Sequence, residues 1–196
     1  MSEKFQILVV CLGNVCRSPL AEHLLRERMS ALLGGEGGSG VEVSSAGVRA
    51  MVGEPMNEYA EAELRRLGGD PTGFTARQLT ASAATQADLV LTATRALRSR
   101  VLEEAPRALK RTFTFREFAA LVRSDMVADR RVEGASDLVN RAAAWRGSVA
   151  VEEYDLADPI GRSPEFHREV ADVIDADCDV IARAVVAATL SDVTPR

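Results

Sequence analysis

The join between residues 5 and 32 limits the possible folds of this chain more than any other feature. The apolar run Phe5-Gln6-Ile7-Leu8-Val9-Val10 breaks into Cys11-Leu12-Gly13-Asn14-Val15-Cys16-Arg17-Ser18-Pro19. Apolar residues then recur at helical spacing: Leu20, Ala21, Leu24, Leu25, Met29 and Leu32. A short apolar run closed by a glycine-containing turn reads as a buried parallel strand. Pro19 at the first helical position, behind a Ser18 cap, predicts a helix almost immediately afterwards.

The alternation continues downstream. Val41 to Ser45 reads as a strand, and Asn57 to Leu67 as a helix closed by Gly68-Gly69. Asp88 to Thr92 is the next strand, Thr94 to about Glu104 the next helix, Arg111 to Phe115 a fourth strand, and Ser163 to Leu190 a long final helix. Strands alternating with helices imply an open α/β fold, a parallel sheet covered on both faces. Glycines crowd residues 34–40, so this stretch is expected to be a loop ending the first helix. Residues 118–151 fit the alternation less well. Ser136 to Trp145 looks helical but no strand pairs with it, and the stretch is read as an insertion in a single domain spanning 1–196.

With 196 residues, 46% hydrophobic, the chain can bury one sizeable core. Its net charge of -5 gives no general attraction to nucleic acid or to anionic membranes, so any anion site has to be built locally. No stretch approaches the roughly 20 apolar residues of a membrane span, and the first residues lack the basic start and apolar run of a signal peptide. A cytoplasmic location is expected. The three cysteines, Cys11, Cys16 and Cys178, lack the spacing of a disulfide framework and are read as reduced thiols. His23 and His167, both expected on exposed helix faces, complete no zinc-site spacing, so no metal or other cofactor is expected.

The chemistry concentrates in the strand-to-helix loop. There, successive backbone N–H groups can turn inward and join the positive end of the helix dipole, which makes a cradle for a tetrahedral dianion such as phosphate. Leu12, Gly13, Asn14, Val15, Cys16, Arg17 and Ser18 would form it. The same field stabilises a thiolate at Cys11, the nucleophile. Arg17 supplies a planar fork that can grip two phosphoryl oxygens and stabilise a transition state. Gly13 allows close approach of backbone to ligand, Asn14 can hold the turn by local hydrogen bonds, and Ser18 can either cap the helix or donate to the sulfur.

Cysteine, five residues, then Arg17-Ser18-Pro19, with Gly13-Asn14 inside and Cys16 before the arginine, resembles the signature of the low-molecular-weight protein-tyrosine phosphatases. Ser45-Ala46-Gly47 and Arg77-Gln78-Leu79 are weaker matches at family-like places. The resemblance implies a flavodoxin-like, four-stranded parallel sheet and metal-independent hydrolysis of phosphomonoesters through a phosphocysteine intermediate. It implies a general acid from a late Asp-Pro pair, here Asp158-Pro159, with Asp155 as the rival lacking the proline. It also implies that Cys16 can capture oxidised Cys11 as a disulfide. Ser45 is read as a support of the loop, and Arg49 and Arg77 as side chains that can add positive field. The expected partner is a phosphotyrosyl protein or another small phosphomonoester, and the expected state a monomer or weak homodimer.

Some positions depart from the family. Ile160 follows Pro159 and Val48-Arg49-Ala50-Met51 follows Gly47, where aromatic walls are common. Phe74 stands where many members carry a supporting histidine, while Val15 matches members that accept tyrosine phosphate rather than the threonine of arginine-phosphate phosphatases. Two alternatives share the loop. A thiol-dependent arsenate reductase would need Cys178 as a further relay thiol, and a non-catalytic module would bind phosphate without releasing it.

Overall fold

A computed structural model describes residues 4–34, 40–124, 127 and 132–193. The strands are β1 (Phe5–Cys11), β2 (Val41–Gly47), β3 (Leu89–Thr92) and β4 (Thr112–Thr114). The helices are α1 (Arg17–Leu32), α2 (Glu58–Arg66), α3 (Ala81–Gln86), α4 (Arg95–Glu104), α5 (Phe115–Arg123), α6 (Ala135–Ala144) and α7 (Pro164–Val193). All strand pairings are parallel and the sheet order is β2-β1-β3-β4, the open α/β arrangement the alternation predicts. Most of the glycine-rich stretch, residues 35–39, lies outside the described residues.

Alternation along β1 builds two cores. Ile7, Val9 and Cys11 face one side, where Leu20, Leu24 and Leu25 of α1 meet Ile174, Cys178 and Ile181 of α7. Leu8 and Val10 face the other, a thinner layer with Ala84, Val90 and Val101. Because β1 is central and buried on both faces, its last residue, Cys11, leaves the sheet already fixed in position.

Local chemistry sets the boundaries. Asn57 caps α2 by accepting from the N–H groups of Tyr59 and Ala60, and Thr94 caps α4 by accepting from Leu97. At β4 the strand stops one residue before Phe115, because the Thr114 hydroxyl and the Glu117 carboxylate form a reciprocal capping box that starts α5 there. The short α3 was not legible in the periodicity. It has six residues with only Ala84 buried, and the Thr80 cap holds it. Ser18 does not cap α1. Cys16 occupies that position and its side chain makes no capping bond, which leaves the hydroxyl of Ser18 for another use.

Of residues 118–151, the described part holds the end of α5, with Phe118, Leu121 and Val122 buried, and α6, which packs on α7. The histidines differ from expectation: His23 is 8% exposed and His167 3%. Phe74 packs against the ring of His23 and Tyr59 against that of His167. Among the described residues, no helix is long and apolar enough to cross a membrane.

Leu24, fully buried between β1 and α7, and Leu32, 40% exposed at the end of α1, make a controlled pair. Leu24→Ala is expected to cost about 2–5 kcal/mol in urea unfolding. Leu32→Ala should stay within about 0.5 kcal/mol of the parent, and equal losses would contradict the packing described.

Candidate functional site

The loop from Cys11 to Ser18 is held from outside by its carbonyls. The oxygens of Cys11, Leu12, Gly13 and Val15 accept from the N–H groups of Val48 (3.0 Å), Arg49 (2.9 Å), Met51 (3.0 Å) and Asn57 (2.8 Å). With its carbonyls turned out to this strap, the loop keeps its N–H groups for the interior, the geometry of an anion-binding nest. The start of α1 adds to it, since its first N–H groups have no side-chain cap and no acidic residue sits in its first turn.

Cys11 is 2% exposed and its Sγ lies at the base of the loop, where it receives the Asn14 N–H at 3.2 Å and the Ser18 hydroxyl at 2.9 Å. Of the two uses open to Ser18, the hydrogen bond to sulfur is the one made.

Asn14 is the one non-glycine residue with positive φ among the described residues, at 56°. Asparagine tolerates this left-handed conformation better than most residues do. Its side chain reaches well beyond the turn: Nδ2 donates to Ser18 Oγ at 2.9 Å and to Ser45 Oγ at 2.8 Å, and Oδ1 accepts from the Arg77 N–H at 2.7 Å. The expected local bonds are thus mostly long-range ones, and Ser45 supports the loop through this carboxamide. Ser45 in turn donates to Glu22, a carboxylate only 1% exposed, which also receives Arg77 and Arg26.

Arg17 is 6% exposed, and its guanidinium has two partners. One nitrogen donates to the Leu156 carbonyl at 3.2 Å and another pairs with Asp158 Oδ2 at 2.8 Å. The segment before α7 is therefore tied to Arg17 through Leu156 and Asp158, and the Asp158 side chain remains 46% exposed. Asp155 is engaged elsewhere, accepting from the Arg95 N–H at 2.7 Å at the start of α4. Cys16 is 4% exposed, and its thiol is pushed up to about 12 by burial first and then by Cys11 and Asp158. Leu12 (42%), Met51 (53%) and Ile160 (50%) are exposed apolar side chains on the loop, the strap and the Asp158 segment.

Three contributors were not singled out from sequence. Glu22 lies four residues after Ser18 and so on the same face of α1, a spacing that could have revealed it. Gln78 clamps the strap in both directions, donating to Val48 O at 2.9 Å and accepting from Ala50 N at 3.0 Å. Gly47 has a close approach of its own within the protein: a Cβ there would lie 2.6 Å from Leu12 O. His167 is a further neighbour. Its imidazole is held below its ordinary value by burial, against the opposing pull of a bond to the Pro159 backbone and of Glu63 and Asp158.

Two outcomes follow. Gly47→Ala should displace the loop, weaken inorganic phosphate binding measured by calorimetry, and cost about 1–3 kcal/mol in unfolding; unchanged binding would remove the steric argument. For His167, the folded chain disfavours the charged ring that the unfolded chain forms below about 6.5, so this contribution to stability is intact above that pH. It is lost as pH falls through the lowered native value. His167→Gln should flatten the decline of the urea midpoint between pH 7.5 and 5.5, and a parallel decline in both proteins would contradict it.

The comparisons agree with this geometry. The family model described as low molecular weight phosphotyrosine protein phosphatase matches residues 6–133, which include the loop, the strap and Arg77 but not Asp158. A low molecular weight protein-tyrosine-phosphatase of Acinetobacter johnsonii is 36% identical over 107 residues, 55% of this chain and 69% of that protein. A protein-arginine-phosphatase of Geobacillus stearothermophilus is 29% identical over 178 residues, 91% of this chain and 94% of its own. The crystal structure of a low molecular weight protein tyrosine phosphatase from T. tengcongensis superposes with a TM-score of 0.69 at 25% identity, covering 92% of this chain and 99% of that one. With more than half of its length matched by the family model, this chain belongs to the low molecular weight phosphotyrosine protein phosphatase family.

Proposed function

We propose that the protein hydrolyses phosphomonoesters, with aryl phosphates such as phosphotyrosine preferred, through a phosphocysteine on Cys11. The carrying observation is the convergence of Cys11 Sγ, bonded by Asn14 N–H and Ser18 Oγ, with an Arg17 fork that Asp158 already reaches at 2.8 Å. A substrate dianion takes the place of Asp158 on Arg17, since both present paired oxygens to the same guanidinium. The Cys11 thiolate attacks phosphorus, the bond to the leaving oxygen breaks, and Asp158, carrying a proton, delivers it to that oxygen. In the second half, the Asp158 carboxylate takes a proton from water as it attacks the phosphocysteine, which releases inorganic phosphate and restores the thiolate. Loop N–H groups and Arg17 stabilise the equatorial oxygens in both steps.

Val15 and the aliphatic rim of Leu12, Met51 and Ile160 support an aryl group packed by apolar contact rather than by ring stacking. The likeness to a protein-arginine-phosphatase over most of the chain makes phosphoarginine the competitor to test. The arsenate-reductase alternative loses its relay, since Cys178 is fully buried in α7 and burial pushes its thiol far up.

Cys16 is proposed as the resolving thiol. Peroxide converts the Cys11 thiolate to a sulfenic acid, and Cys16 displaces water from it to form a disulfide. The negative charge of Cys11 is one cause of the raised Cys16 value, so oxidation of Cys11 removes that part of the barrier to ionising Cys16. Recovery with reductant after a peroxide pulse should fall sharply in Cys16→Ser, and equal recovery would end this role.

Phosphate release from para-nitrophenyl phosphate, phosphotyrosyl peptide and phosphoarginyl peptide, in chelator, tests the main reading. Cys11→Ser should release nothing, and Asp158→Asn should slow poor leaving groups by about 10²–10⁴-fold. Phosphoarginine turned over faster than phosphotyrosine would overturn the substrate preference. Tight phosphate binding without turnover would replace the enzyme by the binding module.

A further inference from the structure

A second concavity lies on the flank of α1, one and two turns beyond the loop. Glu22, His23 and Arg26 of α1 face Thr72, Phe74 and Arg77 across a cavity of about 200 Å³. His23 is 8% exposed, its ring lies edge-on to Phe74 at 5.8 Å, and its Nε2 has no hydrogen-bond partner among the described residues. A buried ring nitrogen left without a partner is costly, so a ligand that satisfies it has an immediate advantage.

The arginines supply the rest. Arg26 uses Nε and Nη2 on the Val43 carbonyl and on Glu22, and Arg77 uses Nη2 on Glu22. Each retains donors beyond these, and both side chains are about half exposed, at 48% and 50%. Two guanidiniums share one carboxylate, so the pair-plus-one carries net positive charge. Asp70, beside the facing segment, is engaged by the N–H and hydroxyl of Thr72. A guanidinium can only donate, so the complement of this wall is a compact group that only accepts.

We propose that this cavity is a second binding site, for a small oxyanion of the phosphate or sulfate type, held by Arg26, Arg77 and His23. The phosphate loop senses its occupancy, because the wall and the loop supports are the same groups. The Arg77 N–H holds Asn14 Oδ1 at 2.7 Å, and Glu22 joins Arg77 and Arg26 to Ser45 and through it to the Asn14 amide. An anion that draws the arginines from Glu22 changes the hydrogen bonding beneath Cys11.

Sulfate, which the enzyme cannot hydrolyse, is the probe, titrated into ¹⁵N-labelled intact protein with backbone amides followed by NMR. Two sites give two midpoints, one for Gly13 and Asn14 and another for Gly73 and Thr75, while the Arg77 amide, bonded to Asn14, responds to both. Arg26→Gln should weaken the second midpoint at least tenfold while the first remains measurable. His23→Phe, which keeps the ring volume and removes the nitrogens, provides the same test should Arg26→Gln fold poorly. Silent amides at Gly73 and Thr75, or a single midpoint shared with Gly13 in all three proteins, would overturn the proposal. The readout is binding alone, so its failure is separate from any failure of the phosphatase reading.

Discussion

The Asn14 carboxamide spends its strong hydrogen-bonding capacity on three separate parts of the fold: the start of α1 at Ser18, the end of β2 at Ser45, and the Arg77 backbone beyond α2. Because Asn14 itself sits at φ 56°, a conformation with few tolerant residues, these bonds are what hold the loop in its curl. A curled loop is also what places the Asn14 N–H on the Cys11 sulfur. Position and electrostatics at Cys11 are therefore not independent. The residue whose side chain shapes the cradle also donates its backbone N–H to the sulfur.

A protein of net charge -5 draws a dianion into a buried loop only by concentrating positive potential there. Arg17 contributes a full charge, the uncapped first turn of α1 a partial one, and the inward N–H groups several fixed dipoles. Burial of Arg17 at 6% exposure strengthens its field but leaves a guanidinium that needs partners. The Leu156 carbonyl supplies one partner, and Asp158, with a side chain 46% exposed, supplies the other.

The N-terminal half was legible because its signals are local. A short apolar run marked β1, Asn57 and Thr94 stood at their cap positions, and the cysteine-to-arginine spacing located the loop. What the sequence hid depends on contacts between distant segments. Gly47 matters because Leu12 O approaches it, and Gln78 because it lies beside Val48 and Ala50. His23 and His167 read as surface residues because a polar side chain on an amphipathic helix defaults to solvent, yet here the opposite wall is Phe74 for one and Tyr59 for the other. Phe115 looked like strand because it is aromatic and stands two residues after Phe113, and the Thr114 capping box overrode that preference.

Glu22 joins these threads. A carboxylate at 1% exposure needs partners for its oxygens, and it has Ser45, Arg26 and Arg77. Two of those partners are half exposed and reach it from solvent, so the buried charge beneath the loop is compensated from the surface. Arg26 and Arg77 at that surface share Glu22 with Ser45, and Ser45 is one of the acceptors that orient Asn14. The loop from Cys11 to Ser18 is thus tied to the flank of α1 by a chain of hydrogen bonds with an open end. A fold with an apolar side chain at position 22 would leave Ser45 and the arginines without that common acceptor.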